Sequence, residues 1–259
     1  MTPTDDYAFV GDPPMFRPLA RKVHVSCSFT WDITEARRLA EAWAQHYYLV
    51  QLGGAAFGSQ ADEFTPGMYV KQGVTITSRG CNNQCPWCLV PEREGKLREV
   101  EIHPGNNIID NNLLQCSRAH IAQVFDMLRS QHQIILSGGL DARLITTSIA
   151  DDLRSLRVKR MFLACDTKEA LTPLRLARHY LDGFRRDQLR CFVLLCFRNE
   201  SISEAEERLR DVWHLGFEPF AMLYQPPDRY IHYSKEWRKL SKIWTRPARM
   251  KAVMRGENG

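Results

Sequence analysis

No stretch of this chain stays apolar for long. The longest such run, Cys191 to Phe197, is far short of the roughly 20 residues a membrane helix needs, so no membrane partner is expected. The first residues carry Asp5, Asp6 and several prolines in place of a basic start and an apolar stretch, so a secretory signal is not expected and a cytoplasmic setting is. A disulfide framework is lacking as well. Of the eight cysteines, three are bunched and five scattered, which reads as a metal site plus buried thiols in a reducing compartment. No G-x-G-x-x-G fingerprint accompanies Gly53-Gly54, so that pair reads as a tight turn and not as a dinucleotide site. The net charge of +5 is too small to name an acidic partner by itself. What is present is an ordinary globular composition, 44% hydrophobic and 25% charged over 259 residues, enough to bury a substantial core.

Residues 1 to about 20 are rich in proline and polar groups and read as a poorly ordered lead-in or a strap over the surface. Val23 to Phe29 alternates like a strand, Asp32-Ile33-Thr34-Glu35 has the pattern of a helix start, and Tyr48 to Leu52 reads as a second strand. Together they predict one β-α-β unit. From residue 74 a strand candidate recurs at fairly regular spacing: Val74–Thr77, Asn107–Asp110, Gln133–Ser137, Arg160–Ala164, Arg190–Cys196 and Pro219–Tyr224. Helical patterns start near Ser117, Thr147, Lys168 and Ser203, the last marked by Ser203 and Glu206 as a capping box and by Gly216 as a stop. Repeating β-α units imply parallel strands and right-handed crossovers. Periodicity leaves a barrel and an open doubly wound sheet equally open. The chain divides at residues 1–73, 74–226 and 227–259.

Cys81, Cys85 and Cys88 fall within eight residues as C-x3-C-x2-C, directly after the first strand of the repeat. Clustered thiolates suit an iron-sulfur centre or zinc, and three of them leave one iron of a 4Fe-4S cluster without a cysteine. The stretch resembles the radical S-adenosylmethionine enzymes, whose motif has this spacing and often an aromatic residue just before the last cysteine, here Trp87. The resemblance implies a six-unit partial (β/α) barrel preceded by the short β-α-β extension. It also implies that Cys81, Cys85 and Cys88 hold a 4Fe-4S cluster whose open iron chelates S-adenosyl-L-methionine. Reductive cleavage would then give methionine and a 5'-deoxyadenosyl radical that takes hydrogen from a substrate, with a flavodoxin or ferredoxin as electron donor. Gly139 to Thr146 looks like a segment of methylthiotransferase-like and cobalamin-type members, and Ser78-Arg79-Gly80-Cys81 and Val90-Pro91 also resemble methylthiotransferases. The D-x-H-x-x-G cobalamin motif is missing, and only Cys27 stands where methylthiotransferases carry a second cysteine cluster upstream. The contrasting reading is a zinc-stabilised nucleic-acid-binding protein, with a fourth ligand such as His103.

In parallel barrels chemistry gathers at the carboxyl ends of the strands. Those ends are polar here: Asp110-Asn111-Asn112, Ser137 to Arg143, Cys165-Asp166, Cys196-Phe197-Arg198 and Tyr224-Gln225. The resemblance puts the grip on the methionine amino group at the end of strand two, which carries Asp110 and Asn111. Charge logic adds Asp166, since a sulfonium and an ammonium need acceptors in a site shielded from water. Helix capping is the rival role for Asp166. Past Pro226-Pro227, between Lys235 and Arg255, eight Lys and Arg residues accumulate with Trp237 and Trp244 against one acid, Glu236. Such a tail either grips phosphates and stacks bases, making a nucleic acid or nucleotide a candidate substrate, or is a solvated helix packing its tryptophans on the barrel. The packing helix is the reading taken.

Overall fold

The β-branched and leucine-rich runs of the second half become the central sheet. In the computed structural model, which describes residues 3–57 and 69–256, six strands lie side by side: β3 (Val74–Thr75), β6 (Asn107–Ile108), β7 (Ile134–Leu140), β8 (Val158–Ala164), β9 (Leu189–Leu195) and β10 (Glu218–Leu223). Every pairing among them is parallel, and their spatial order follows their sequence order. A doubly wound sheet reverses its strand order at a switch point, and this one does not. With right-handed crossovers, an order without reversal carries its helices on one face.

Side-chain alternation agrees. Met161, Leu163, Cys191, Val193 and Leu195 point into a core shared with α3 (Arg118–Arg129), α4 (Thr147–Ser155), α5 (Leu171–Tyr180) and α6 (Ile202–His214). Phe162 and Phe192, which alternate with them, lie outside that core and stack on each other at 4.7 Å. Phe220 meets Phe192 edge-on at 5.7 Å, and a buried Arg190–Glu218 pair sits on the same side of the strands at 3.4 Å.

Two further pairs of strands stand apart. β1 (Val23–Ser26) and β2 (Val50–Gly53) run parallel on either side of α1 (Ile33–Ala44), the expected β-α-β unit. The proline-rich lead-in is a strap over α1, because Phe9 packs on Trp43 at 5.5 Å and Tyr47 donates its hydroxyl to the Pro18 carbonyl at 2.7 Å. Residues 58–68, inside the same division of the chain, lie outside the described residues, as do 257–259 of the tail. β4 (Ser78–Arg79) and β5 (Arg98–Glu99) make a short antiparallel pair that brackets the cysteine loop and α2 (Val90–Glu94).

Four local expectations shift. The first strand pairs only over two residues, because the chain leaves β6 to join β5. Strand β7 runs through the glycine pair to Leu140 by a register shift after Leu136; a Cβ on Gly138 would stand 1.9 Å from the Asp110 carbonyl, so only glycine allows this approach of the backbones. The capping box of α6 is Ser201 with Glu204, two residues earlier than Ser203 with Glu206, since the helix starts at the first pair that can close the box. Helix α5 starts at Leu171 and not near Lys168, and its N-cap, Ala170, has no side chain to offer.

The basic tail forms α7 (Lys235–Trp244) and α8 (Pro247–Gly256), which place Leu240, Trp244, Met250 and Met254 in the common core while Trp237 packs against it. Both tryptophans thus serve packing. Among the described residues no helix is long and apolar enough to cross a membrane.

Candidate functional site

The loop carrying Cys81, Cys85 and Cys88 follows β3 and β4 at the carboxyl end of the sheet, and it is held there by the end of β6. Asp110 is buried, and its carboxylate accepts from the Thr77 amide at 2.7 Å, the Thr77 hydroxyl at 2.6 Å and the Ser78 hydroxyl at 2.8 Å. Asn111 accepts from the Gly80 amide at 3.0 Å. Gly80 has φ +79° and no room for a Cβ against the Lys96 carbonyl, so this residue too must be glycine. Asn112 reaches the Cys81 sulfur at 3.9 Å and Asp141 at 3.4 Å. Three consecutive side chains thus zip the strand end to the loop, residue against residue.

Further groups surround Cys81. Gln115 accepts from the Asn82 amide at 2.8 Å and from the Cys81 thiol at 3.6 Å, and donates to Asn83 at 2.9 Å. Asn83 donates in turn to Asp141 at 3.0 Å. Burial pushes the Asp141 carboxyl up, but hydrogen bonds from Arg143 and Asn83 outweigh it and hold it down at about 2. Asp141 is therefore a fixed anion near the loop, with Arg143 on it at 2.6 Å. Gln115 carries no sequence signal beyond being polar one turn past a strand end. Asp141 and Arg143 are visible only as members of a polar strand end.

The thiols themselves are free, Cys81 and Cys85 partly exposed and Cys88 exposed. Desolvation raises Cys85 and Cys88, and each is raised further by the charge of neighbouring cysteines, which puts the sulfurs within electrostatic reach of one another. Among the described residues no three His, Cys, Asp or Glu side chains are gathered as a metal-holding group. His103, the candidate zinc ligand, is exposed and turns to Glu101 at 3.9 Å. Cys116, Cys165 and Cys191 are buried, and none of them belongs to the loop.

Trp87 and Asp166, 79 residues apart, meet: the indole Nε1–H donates to Asp166 at 3.2 Å. The other Asp166 oxygen accepts from the Leu194 amide at 3.1 Å, so the residue ties the cysteine loop to β9 and caps no helix. Burial raises its carboxyl above the ordinary range, against the hydrogen bonds from Leu194 and Trp87. Trp87 also packs edge-on against Phe197 at 5.4 Å, and Phe197 against Tyr224 at 5.0 Å. Cys196, Arg198 and Asn199 around Phe197 all have positive φ, a strained turn that presents the ring.

One donor set is chemically incomplete. Asn112 Oδ1 is buried and has no hydrogen-bond partner, a loss of roughly 1–3 kcal/mol for a group whose amide reaches the Cys81 thiol. Asp110, by contrast, spends both oxygens on the loop. Asp110→Ala is therefore expected to strand a buried amide and two hydroxyls and to cost about 3 kcal/mol or more. The measurement is a melting curve with limited proteolysis of the loop; an unchanged melting temperature and unchanged cleavage pattern would show that the three bonds hold nothing. Set against protein-family models and against curated proteins, the chain matches none.

Proposed function

We propose that the protein is a radical S-adenosylmethionine enzyme, with a 4Fe-4S cluster held by Cys81, Cys85 and Cys88 and a core that curves as a six-unit partial (β/α) barrel. The observation that carries this reading is the placing of a C-x3-C-x2-C loop on the carboxyl end of the first strand of a sequential parallel sheet, zipped to the second strand by Asp110, Asn111 and Asn112. The residues fit such a group by donor chemistry: three soft thiols on one loop, no disulfide among them, and the unpartnered Oδ1 of Asn112, whose amide reaches Cys81. When bound, the cluster supplies the electron for reductive cleavage of S-adenosylmethionine.

The chain's own residues have separable tasks. Gly80, Asn111 and Asp110 fix the loop, and Asn83, Asn112 and Gln115 surround the first sulfur with amide dipoles. Asn112 Oδ1, buried and without a partner, would accept from the cofactor's ammonium. Trp87, Phe197 and Tyr224 wall the site against water. Asp166, held by the Trp87 indole and the Leu194 amide just past the end of β8, would supply a carboxylate to the positive charge of the cofactor.

Anaerobic reconstitution with iron and sulfide tests the assignment against its rival. The expected product is brown, absorbs near roughly 400 nm as thiolate-bound iron does, and cleaves S-adenosylmethionine on reduction. Asp166→Ala in the same preparation should keep its iron and bind S-adenosylmethionine several-fold more weakly. Colourless protein that retains zinc through dialysis would favour the structural-zinc reading.

A further inference from the structure

A second surface lies beside this site, assembled from segments some 200 residues apart. Phe29 and Trp31 stack face to face, with centroids at 4.7 Å and planes 10° apart. Tyr230 meets Trp31 edge-on at 5.7 Å, and His232 meets Tyr230 at 5.0 Å. These rings are not core: Phe29 is 53% exposed, Trp31 38% and Tyr230 51%. An exposed cluster of flat rings is an unusual use of residues that otherwise dominate cores and interfaces.

The same segment leads directly into α7. Lys235, Arg238, Lys239 and Lys242 recur at helical spacing on one exposed face, and Arg246 and Arg249 continue the exposed charge past the helix end. Among the described residues none of these six is ion-paired, and Glu236 is the one acid on α7. The platform is also tied to the cysteine loop. Tyr233, between Tyr230 and α7, donates its hydroxyl to the Tyr224 carbonyl, and Tyr224, Phe197 and Trp87 pack in series.

We propose that single-stranded nucleic acid docks here, its bases stacked on Phe29, Trp31 and Tyr230 and its phosphates following the cations of α7. Each part selects for this ligand. Unpaired cations in a row attract a polyanion, and exposed ring faces attract bases, whereas an acidic peptide offers no planar faces. A membrane is a poor fit because Trp237, Leu240 and Trp244 of α7 turn toward the core, leaving no apolar face to insert. A duplex keeps its bases stacked internally and cannot use the platform. The strand would run past the Trp87 site, making a nucleotide within it the substrate class. That last step rests on the radical-enzyme reading; the docking does not.

Fluorescence anisotropy of the full chain, without iron or S-adenosylmethionine, tests the docking with a labelled single-stranded RNA, the DNA of the same sequence and the matching duplex. Both single strands, or one of them, should bind at least about tenfold tighter than the duplex, and the RNA and DNA arms identify the preferred sugar. Trp31→Ala and Tyr230→Ala should each weaken binding by about tenfold. The triple variant K235E/R238E/K239E should lower the salt slope by about 2. All five side chains are exposed or nearly so, and melting curves check that the variants stay folded. No binding of either single strand, or binding that prefers the duplex and ignores both aromatic variants, overturns the proposal. Because the assay needs no cluster, its failure leaves the cysteine assignment standing, and loss of the cluster leaves the binding result standing.

Discussion

Replacing Cys85 by Ala is expected to remove most of the bound iron and to bring S-adenosylmethionine cleavage down to background, with the same outcome for Cys81 and Cys88. A cluster held by three thiolates has none to spare, and no other cysteine on the loop could take the missing place. Cys191→Ala is the control. That thiol sits wholly inside the core, where burial pushes it well above the ordinary range, so it stays protonated and is no ligand. Its loss should cost about 1–2 kcal/mol of stability through a small cavity and leave iron and cleavage unchanged. Iron analysis and a cleavage assay on the anaerobic proteins read both outcomes. Normal iron and cleavage in the Cys85 variant would sink the assignment, and equal losses in the Cys191 variant would show that the readout tracks folding.

The six-strand repeat was legible because strands buried on both faces must be apolar nearly throughout, as Leu189 to Leu195 is apart from Arg190, and such runs stand out from the polar turns between them. Pairings two residues long have no period to read. Hence the pattern gives no sign of β4 and β5, and it extends the first strand two residues beyond Thr75. Sequence order could not choose between a barrel and a doubly wound sheet, since both share the same local pattern; only the observed neighbour order excludes the reversal. In the site, three cysteines at fixed spacing announce themselves. A carboxylate does not announce its partner. Asp110 fitted a cofactor grip by charge, yet its partners Thr77 and Ser78 lie more than thirty residues back along the chain, and nothing local says that both its oxygens are taken. The aromatic platform is the extreme case, because Trp31 and Tyr230 each look like ordinary core aromatics until the fold leaves them together at the surface.

Deleting residues 235 to 259 is expected to yield insoluble protein, because the basic stretch also carries part of the core. The charges are detachable, but the helices are not. On α7 and α8 the cations face solvent while Leu240, Trp244, Met250 and Met254 fill the core against α6 and β10, and Ser241 donates to the Ala221 carbonyl of β10 at 3.5 Å. Each of those four side chains contributes roughly 1.5–3 kcal/mol on burial, and together they rival the about 5–15 kcal/mol by which a domain is stable at all. Removal would also uncover β10, the last strand of the sheet, and an uncovered edge pairs with other chains. Trp244→Ala isolates the packing share: the ring is wholly buried and its loss should cost about 3–5 kcal/mol, with the basic face intact. Solubility after lysis and thermal melting measure the two variants side by side. A truncated chain that stays soluble and melts cooperatively near the temperature of the full chain would mean that the core is complete at β10 and that α7 and α8 only rest on it.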